Sequence, residues 1–167
     1  MANSKFIDTL LQNINGSSYY AVRRSFGQTV DSCNIDSLLA FMRLIPDAKV
    51  PKSYLNIEFL VAGLCYNSLR PGMTYLGKNK ISFETLLRRL YNTASDSGKR
   101  SIENFMKLRI DDRGYFHKRF MSITRKALPM LRPNEVINYD ELISDLVDWD
   151  KNNTVKIKWS KILVDFN

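Results

Sequence analysis

Val155-Lys156-Ile157-Lys158-Trp159, near the end of the chain, decides the fold. Apolar and basic residues alternate through it, as they do on a strand with one buried face. The pattern runs further, however. Val155, Trp159, Ile162, Leu163 and Phe166 keep the spacing of one helical face, and a stripe sustained that far outweighs a short alternation. With this segment read as a helix, no strand candidate remains and the chain reads as all-α.

The rest of the sequence agrees. Upstream, Asn138 and Glu141 have capping-box spacing before a helix carrying Leu142, Ile143, Leu146 and Trp149. Pro129 and Pro133 bracket a connector, and before it a helix buries Phe116, Phe120, Ile123 and Ala127, with Lys118, Ser122 and Arg125 opposite. A further helix runs through Ile102, Phe105, Met106 and Ile110, after a Ser95-Asp96-Ser97-Gly98 turn. Ser82 caps the helix of Phe83, Leu86, Leu87 and Leu90, and Arg70 to Lys80 is a loop. The Tyr54–Leu69 segment, opened by Pro51 and Ser53, is apolar nearly all round and is the expected central helix. Three shorter helices precede it: one capped by Ser4, one from about Tyr19 to Gly27, and Asp36 to Ile45 closed by Pro46.

Charge is concentrated. Between Lys78 and Lys126 thirteen basic residues face five acids, an excess of eight that equals the net charge of the whole chain. The flanks cancel one another. Phe83, Tyr91, Phe105, Tyr115, Phe116 and Phe120 lie among these charges, available to a core or to a nucleic acid. A sequence pI near 9.5 with charge gathered in this way points to a polyanionic partner more than to a solubilising surface. Cys33 and Cys65 lack CxxC spacing and read as reduced thiols of a cytoplasmic protein. No apolar run approaches the ~18 residues of a membrane span, and no signal peptide opens the chain.

Catalytic patterns are weak. His117 is the single histidine and sits in a basic helix beside no activated nucleophile. Gly72-Met73-Thr74-Tyr75-Leu76-Gly77-Lys78-Asn79 approaches the phosphate-binding loop but has Asn79 for the magnesium hydroxyl, and a helix precedes it. Asp145 and Asp148 share a helix face without a third ligand type or a basic clamp, which reads as a solvated acidic face or a subunit contact. No cofactor, metal or enzyme activity is expected. Arg109 falls inside the apolar arc of its helix, so it either pairs with an acid such as Asp112 or Glu103, or faces a ligand.

A series of short motifs occurs in order: Asn15-Gly16, Val22-Arg23-Arg24, Pro51-Lys52, Ser97-Gly98-Lys99-Arg100, Phe105-Met106-Lys107-Leu108, Asp111-Asp112-Arg113, Ile137-Asn138-Tyr139, Asp145-Leu146-Val147-Asp148-Trp149-Asp150, Trp159 and Asp165-Phe166. Across nearly the whole chain this resembles the CasB family, the small subunit of the type I-E CRISPR surveillance complex called Cascade. The resemblance implies a non-catalytic protein of two packed helical lobes, here residues 1–92 and 93–167. Such a subunit sits as a dimer along the belly of the complex, beside the large subunit and the backbone subunits that hold guide RNA. It helps hold the R-loop open. Matched by motif, Arg24, Lys52, Lys99 and Arg100 are the expected nucleic-acid contacts, with Arg113 of Asp-Asp-Arg. Lys118, Arg119, Arg125 and Lys126 come from the helical wheel instead. Arg109 departs from the pattern, where an apolar residue is expected. Counterion release would let such residues hold guide RNA and target DNA by their phosphates without reading sequence. Two other readings stand beside this one: a free-standing basic DNA-binding regulator, and a purely structural subunit.

Overall fold

The computed structural model describes residues 2–45, 50–71, 75, 77–111 and 114–164. Among them the order is α1 (Ala2–Gln12), α2 (Ser17–Arg24), α3 (Ile35–Met42), α4 (Lys52–Ser68), β1 (Asn79–Ile81), α5 (Phe83–Thr93), α6 (Asp96–Met106), α7 (Tyr115–Ala127), a 3-10 turn (Leu128–Met130), β2 (Glu135–Ile137), α8 (Tyr139–Asp148) and α9 (Thr154–Val164). The Val155–Trp159 segment is helical, and the fold is predominantly helical.

Helix α4 is its axis. Every residue from Ile57 to Tyr66 is buried, so the helix has no polar face to leave in water. Helices α2, α7 and α8 pack around it. Tyr19 donates its hydroxyl proton to the carbonyls of Tyr66 and Leu69, at 3.0 and 2.8 Å. These are among the carbonyls that a helix end leaves without an internal partner. Tyr66 in turn donates to the Leu10 carbonyl at 2.8 Å, which ties α1 to the same axis.

The C-terminal elements close over an aromatic stack. Trp149 and Trp159 are fully buried with ring centroids 5.0 Å apart. Phe105 and Phe116 lie against Trp149 at 5.6 and 5.3 Å, and Phe83 against Trp159 at 5.3 Å. Both indole N–H groups are satisfied, Trp149 by the Leu108 carbonyl and Trp159 by Asp145, each at 2.9 Å. That satisfaction is what permits complete burial of a side chain with a polar edge.

Several local expectations need correction. The Arg70 to Lys80 loop ends in a strand: β1 pairs in parallel with β2, Asn79 opposite Glu135 and Ile81 opposite Ile137. Each strand is three residues long, too short to leave a periodic signature. Helix α1 begins at Ala2, so Ser4 is not its cap. Ser95 caps α6 by accepting from the Gly98 N–H, so the expected Ser-Asp-Ser-Gly turn is the first turn of that helix. Helix α6 stops at Met106, which takes Arg109 off any helical face. Arg109 is exposed and pairs with Asp111 at 3.1 Å. By contrast Ser82 and Asn138 cap α5 and α8 as expected, accepting from the N–H groups of Thr85 and Glu141. Pro46, Asp112, Arg113, Asp165, Phe166 and half of the Gly72–Asn79 motif lie outside the described residues.

Candidate nucleic-acid interface

Helix α7 carries the basic face. It starts at Gly114, whose φ of +86° lies in the left-handed region that glycine enters at low cost. Phe116, Phe120, Ile123 and Ala127 then turn inward at helical spacing. That leaves Tyr115, Lys118, Arg119, Ser122, Arg125 and Lys126 exposed on the other side. The helix contains no acid, so none of these charges is neutralised within it. Arg125 and Lys126 fall in the last turn, where cations meet the negative end of the helix dipole.

Helix α6 packs beside α7 and carries Lys99 and Arg100. Lys99 lies over the Tyr91 ring at 5.4 Å, and the Tyr91 hydroxyl donates to Glu103 at 3.1 Å. Glu103 is thus engaged by a tyrosine and forms no ion pair with Lys99 or Arg100 among those described. Arg100 is exposed. Arg24 is the exposed last residue of α2, and Gly27, three residues further on, presses against Met121 of α7. Tyr115, 60% exposed, belongs to the same stripe as Arg119, Ser122 and Lys126. The sequence left Tyr115 open to a core or to a nucleic acid, and the structure places it on the surface. An exposed aromatic beside cations suits base stacking.

Two of the expected contacts do not join this group. Lys52 at the start of α4 pairs with Asp31 at 2.5 Å, an exposed ion pair of the kind that contributes little to stability. It borders a groove of about 650 Å³ that also includes Arg109, Asp150 and His117. Arg113 is outside the described residues. His117 is buried, and its Nε2–H donates to the Asn56 carbonyl at 3.2 Å. Burial holds its pKa below the ordinary histidine value, so the ring is neutral at pH 7 and adds no charge to the face.

One cluster has the composition of a cation site. Carboxylate oxygens of Glu84, Glu141 and Asp145 lie within 4.8 Å of one another. The Lys158 ammonium sits among them, 2.8 Å from Asp145, 3.5 Å from Glu84 and 3.6 Å from Glu141. This corrects the expectation of a solvated Asp145 without a basic clamp. Asp145 is 9% exposed, and the clamp comes from α9. Burial and the neighbouring acids hold Glu84 above the usual carboxylate range, against the opposing pull of Lys158.

Fold and surface together define a small, predominantly helical protein with an acid-free basic helix on one side. No protein-family model matches the chain, and no curated protein matches it in sequence. Solved structures do match. A CRISPR-associated protein of the Cse2 family from Thermus thermophilus has a TM-score of 0.70 at 17% identity, over 99% of this chain and 100% of that one. CasB from M. ruber has a TM-score of 0.71 at 16% identity, over 99% of this chain and 93% of that one. A structure of CasB, also from Thermus thermophilus, has a TM-score of 0.65 at 17% identity, over 99% and 100%. The chain therefore has the fold of Cse2 and CasB proteins along its whole length, the family its sequence motifs resemble.

Proposed function

We propose that this chain is the small, non-catalytic subunit of a type I-E Cascade complex, where it contacts nucleic-acid backbone and stabilises the R-loop in antiviral defence. The observation that carries the reading is the acid-free basic face of α7, accompanied by Lys99 and Arg100 of α6, on a Cse2/CasB fold that spans the chain. Neutralised phosphates release counterions whatever the base sequence, while guide pairing supplies specificity. A few clamps along the strands are then enough to slow re-pairing of the duplex. On this reading residues 1–92 and 93–167 act as two lobes, and the partners are the large subunit, the guide-holding backbone subunits, a second copy of the chain, guide RNA and target DNA. The compartment is the cytoplasm. Among the described residues no helix is long and apolar enough to cross a membrane.

The test is reconstitution with and without this chain. Co-expressed with the other subunits of its own complex, it should co-purify at fixed stoichiometry, and the complex should hold a target R-loop longer when it is present. Failure to co-purify would overturn the assignment. Sequence-selective, salt-insensitive DNA binding by the isolated chain would make it a regulator instead.

A further inference from the structure

A second basic concavity shares no residue with the α6–α7 face. Where α4 ends, the chain leaves through Leu69 and Arg70, and the β1–β2 pair brings Lys78 and Arg132 to the same place. Together they line a concavity of about 340 Å³. Lys78 is fixed there because its Nζ donates to the Pro133 carbonyl at 2.9 Å. Two ammonium N–H groups remain for another acceptor. Arg132 is exposed.

The charge balance of this lining is unequal. Among the described residues that line it Glu135 is the only acid, and both its oxygens are engaged. Arg89, which does not line the concavity, grips them bidentately at 2.6 and 2.9 Å, and the Arg132 backbone N–H donates to Oε1 at 2.9 Å. Lys78 and Arg132 are thus left without a carboxylate of their own in the lining. Leu128 and Leu131 add apolar surface to the lining.

We propose that this concavity binds a phosphodiester of a single nucleic-acid strand. Lys78 and Arg132 meet the phosphate oxygens, and the sugar or base lies against Leu128 and Leu131. The proposal rests on the nucleic-acid reading above but on none of its residues. The lining favours a strand over an acidic protein segment: Leu128 and Leu131 offer apolar surface beside the two cations, which a sugar or base covers and a carboxylate side chain does not.

The test uses the full chain and fluorescent oligo(dT) and oligo(U), read by anisotropy between 50 and 200 mM salt. Lys78→Gln/Arg132→Gln should weaken binding ~10-fold and flatten the logarithmic salt slope by about 0.7, the contribution of one single-strand phosphate. Whichever probe loses more identifies DNA or RNA as the source of the phosphate. Lys118→Gln/Arg119→Gln is the reference. If it weakens binding and the Lys78/Arg132 variant does not, this site falls and the wider reading stands; if neither does, both fall. Normal oligonucleotide binding with lost assembly would assign the concavity to an acidic protein segment and also overturn the proposal. Should the double variant melt early, acetylation of Lys78 in the wild-type chain decides: protection by oligo(dT) or oligo(U) supports the site, and equal acetylation with both refutes it.

Discussion

Lys158 closes on Asp145 at 2.8 Å, and the Trp159 indole N–H takes the same carboxylate at 2.9 Å. Two successive residues of α9 are thereby fastened to α8 through one buried acid. Asp145→Ala would orphan the Trp159 N–H and leave Lys158 with the longer contacts to Glu84 and Glu141. A buried donor left unpaired costs ~1–3 kcal/mol and the partly exposed Lys158 adds little, so urea denaturation should show a loss of that order. Asp145→Asn keeps an acceptor for Trp159 and should lose about half as much. Because Lys158 already stands among the three carboxylates, magnesium or manganese should not raise the melting temperature. A cation-dependent rise would show that the cluster binds metal instead.

Glu58 makes stability depend on pH. It is buried in α4, and burial pushes its pKa up to about 7. Its folded pKa thus lies above the ~4.3 of an unfolded glutamate. Below ~4.3 both states hold the proton; as pH rises from there to about 7 the unfolded chain ionises first, and the stability Glu58 contributed is lost. Glu58→Gln should therefore stabilise the protein by about 1–2 kcal/mol at pH 8 and change little at pH 4. His117 acts in the opposite direction, since its lowered pKa removes stability as pH falls through the ordinary histidine range. Comparing variant with wild type at each pH cancels that contribution. A Gln variant less stable than wild type at pH 8 would refute the assignment.

Gly27, in the turn after α2, lies directly against Met121 of α7. Its φ is +94°, and a Cβ added there would lie 2.5 Å from the Met121 sulfur. Gly27→Ala combines left-handed backbone strain with that overlap, and the expected cost is ~1–3 kcal/mol. Gly27→Ala/Met121→Ala should recover the steric share and not the backbone share, a division thermal melting can read. No recovery in the double variant would place the whole effect in the backbone.

Local signals were legible and long-range ones were not. The helix through Val155 and Trp159, the caps at Ser82 and Asn138 and the inward face of α7 depend on residues within a few positions of one another, and the structure keeps these. The β1–β2 pairing joins segments more than fifty residues apart through three residues each, which no period reveals. The Lys52–Asp31 pair and the Lys158 clamp on Asp145 are likewise contacts between elements. Arg109 misled because the apolar spacing ran past the point where α6 ends. The basic face on α7 was visible because it lies on one helix. Arg70, Lys78 and Arg132 are scattered in sequence, and only the strand pair gathers them.

The basic face separates assembly from function. Lys99, Arg100, Lys118, Arg119, Arg125 and Lys126 lie outside the apolar stripes of their helices, and all but Lys99 are exposed. Exposed substitutions usually stay within ~0.5 kcal/mol, so replacing the six with Gln should leave a folded chain that joins its complex. Trp149→Ala and Trp159→Ala, by contrast, each empty a fully buried site and should cost ~3–5 kcal/mol, enough to unfold the C-terminal helices. With the face neutralised, fewer phosphates oppose duplex re-pairing, and the R-loop should collapse sooner although guide pairing is intact. The measurement is R-loop lifetime with wild-type and charge-depleted chain, alongside melting and co-purification. An unchanged lifetime with normal assembly would mean that the face serves solvation alone, and that the chain acts in its complex by protein contacts only.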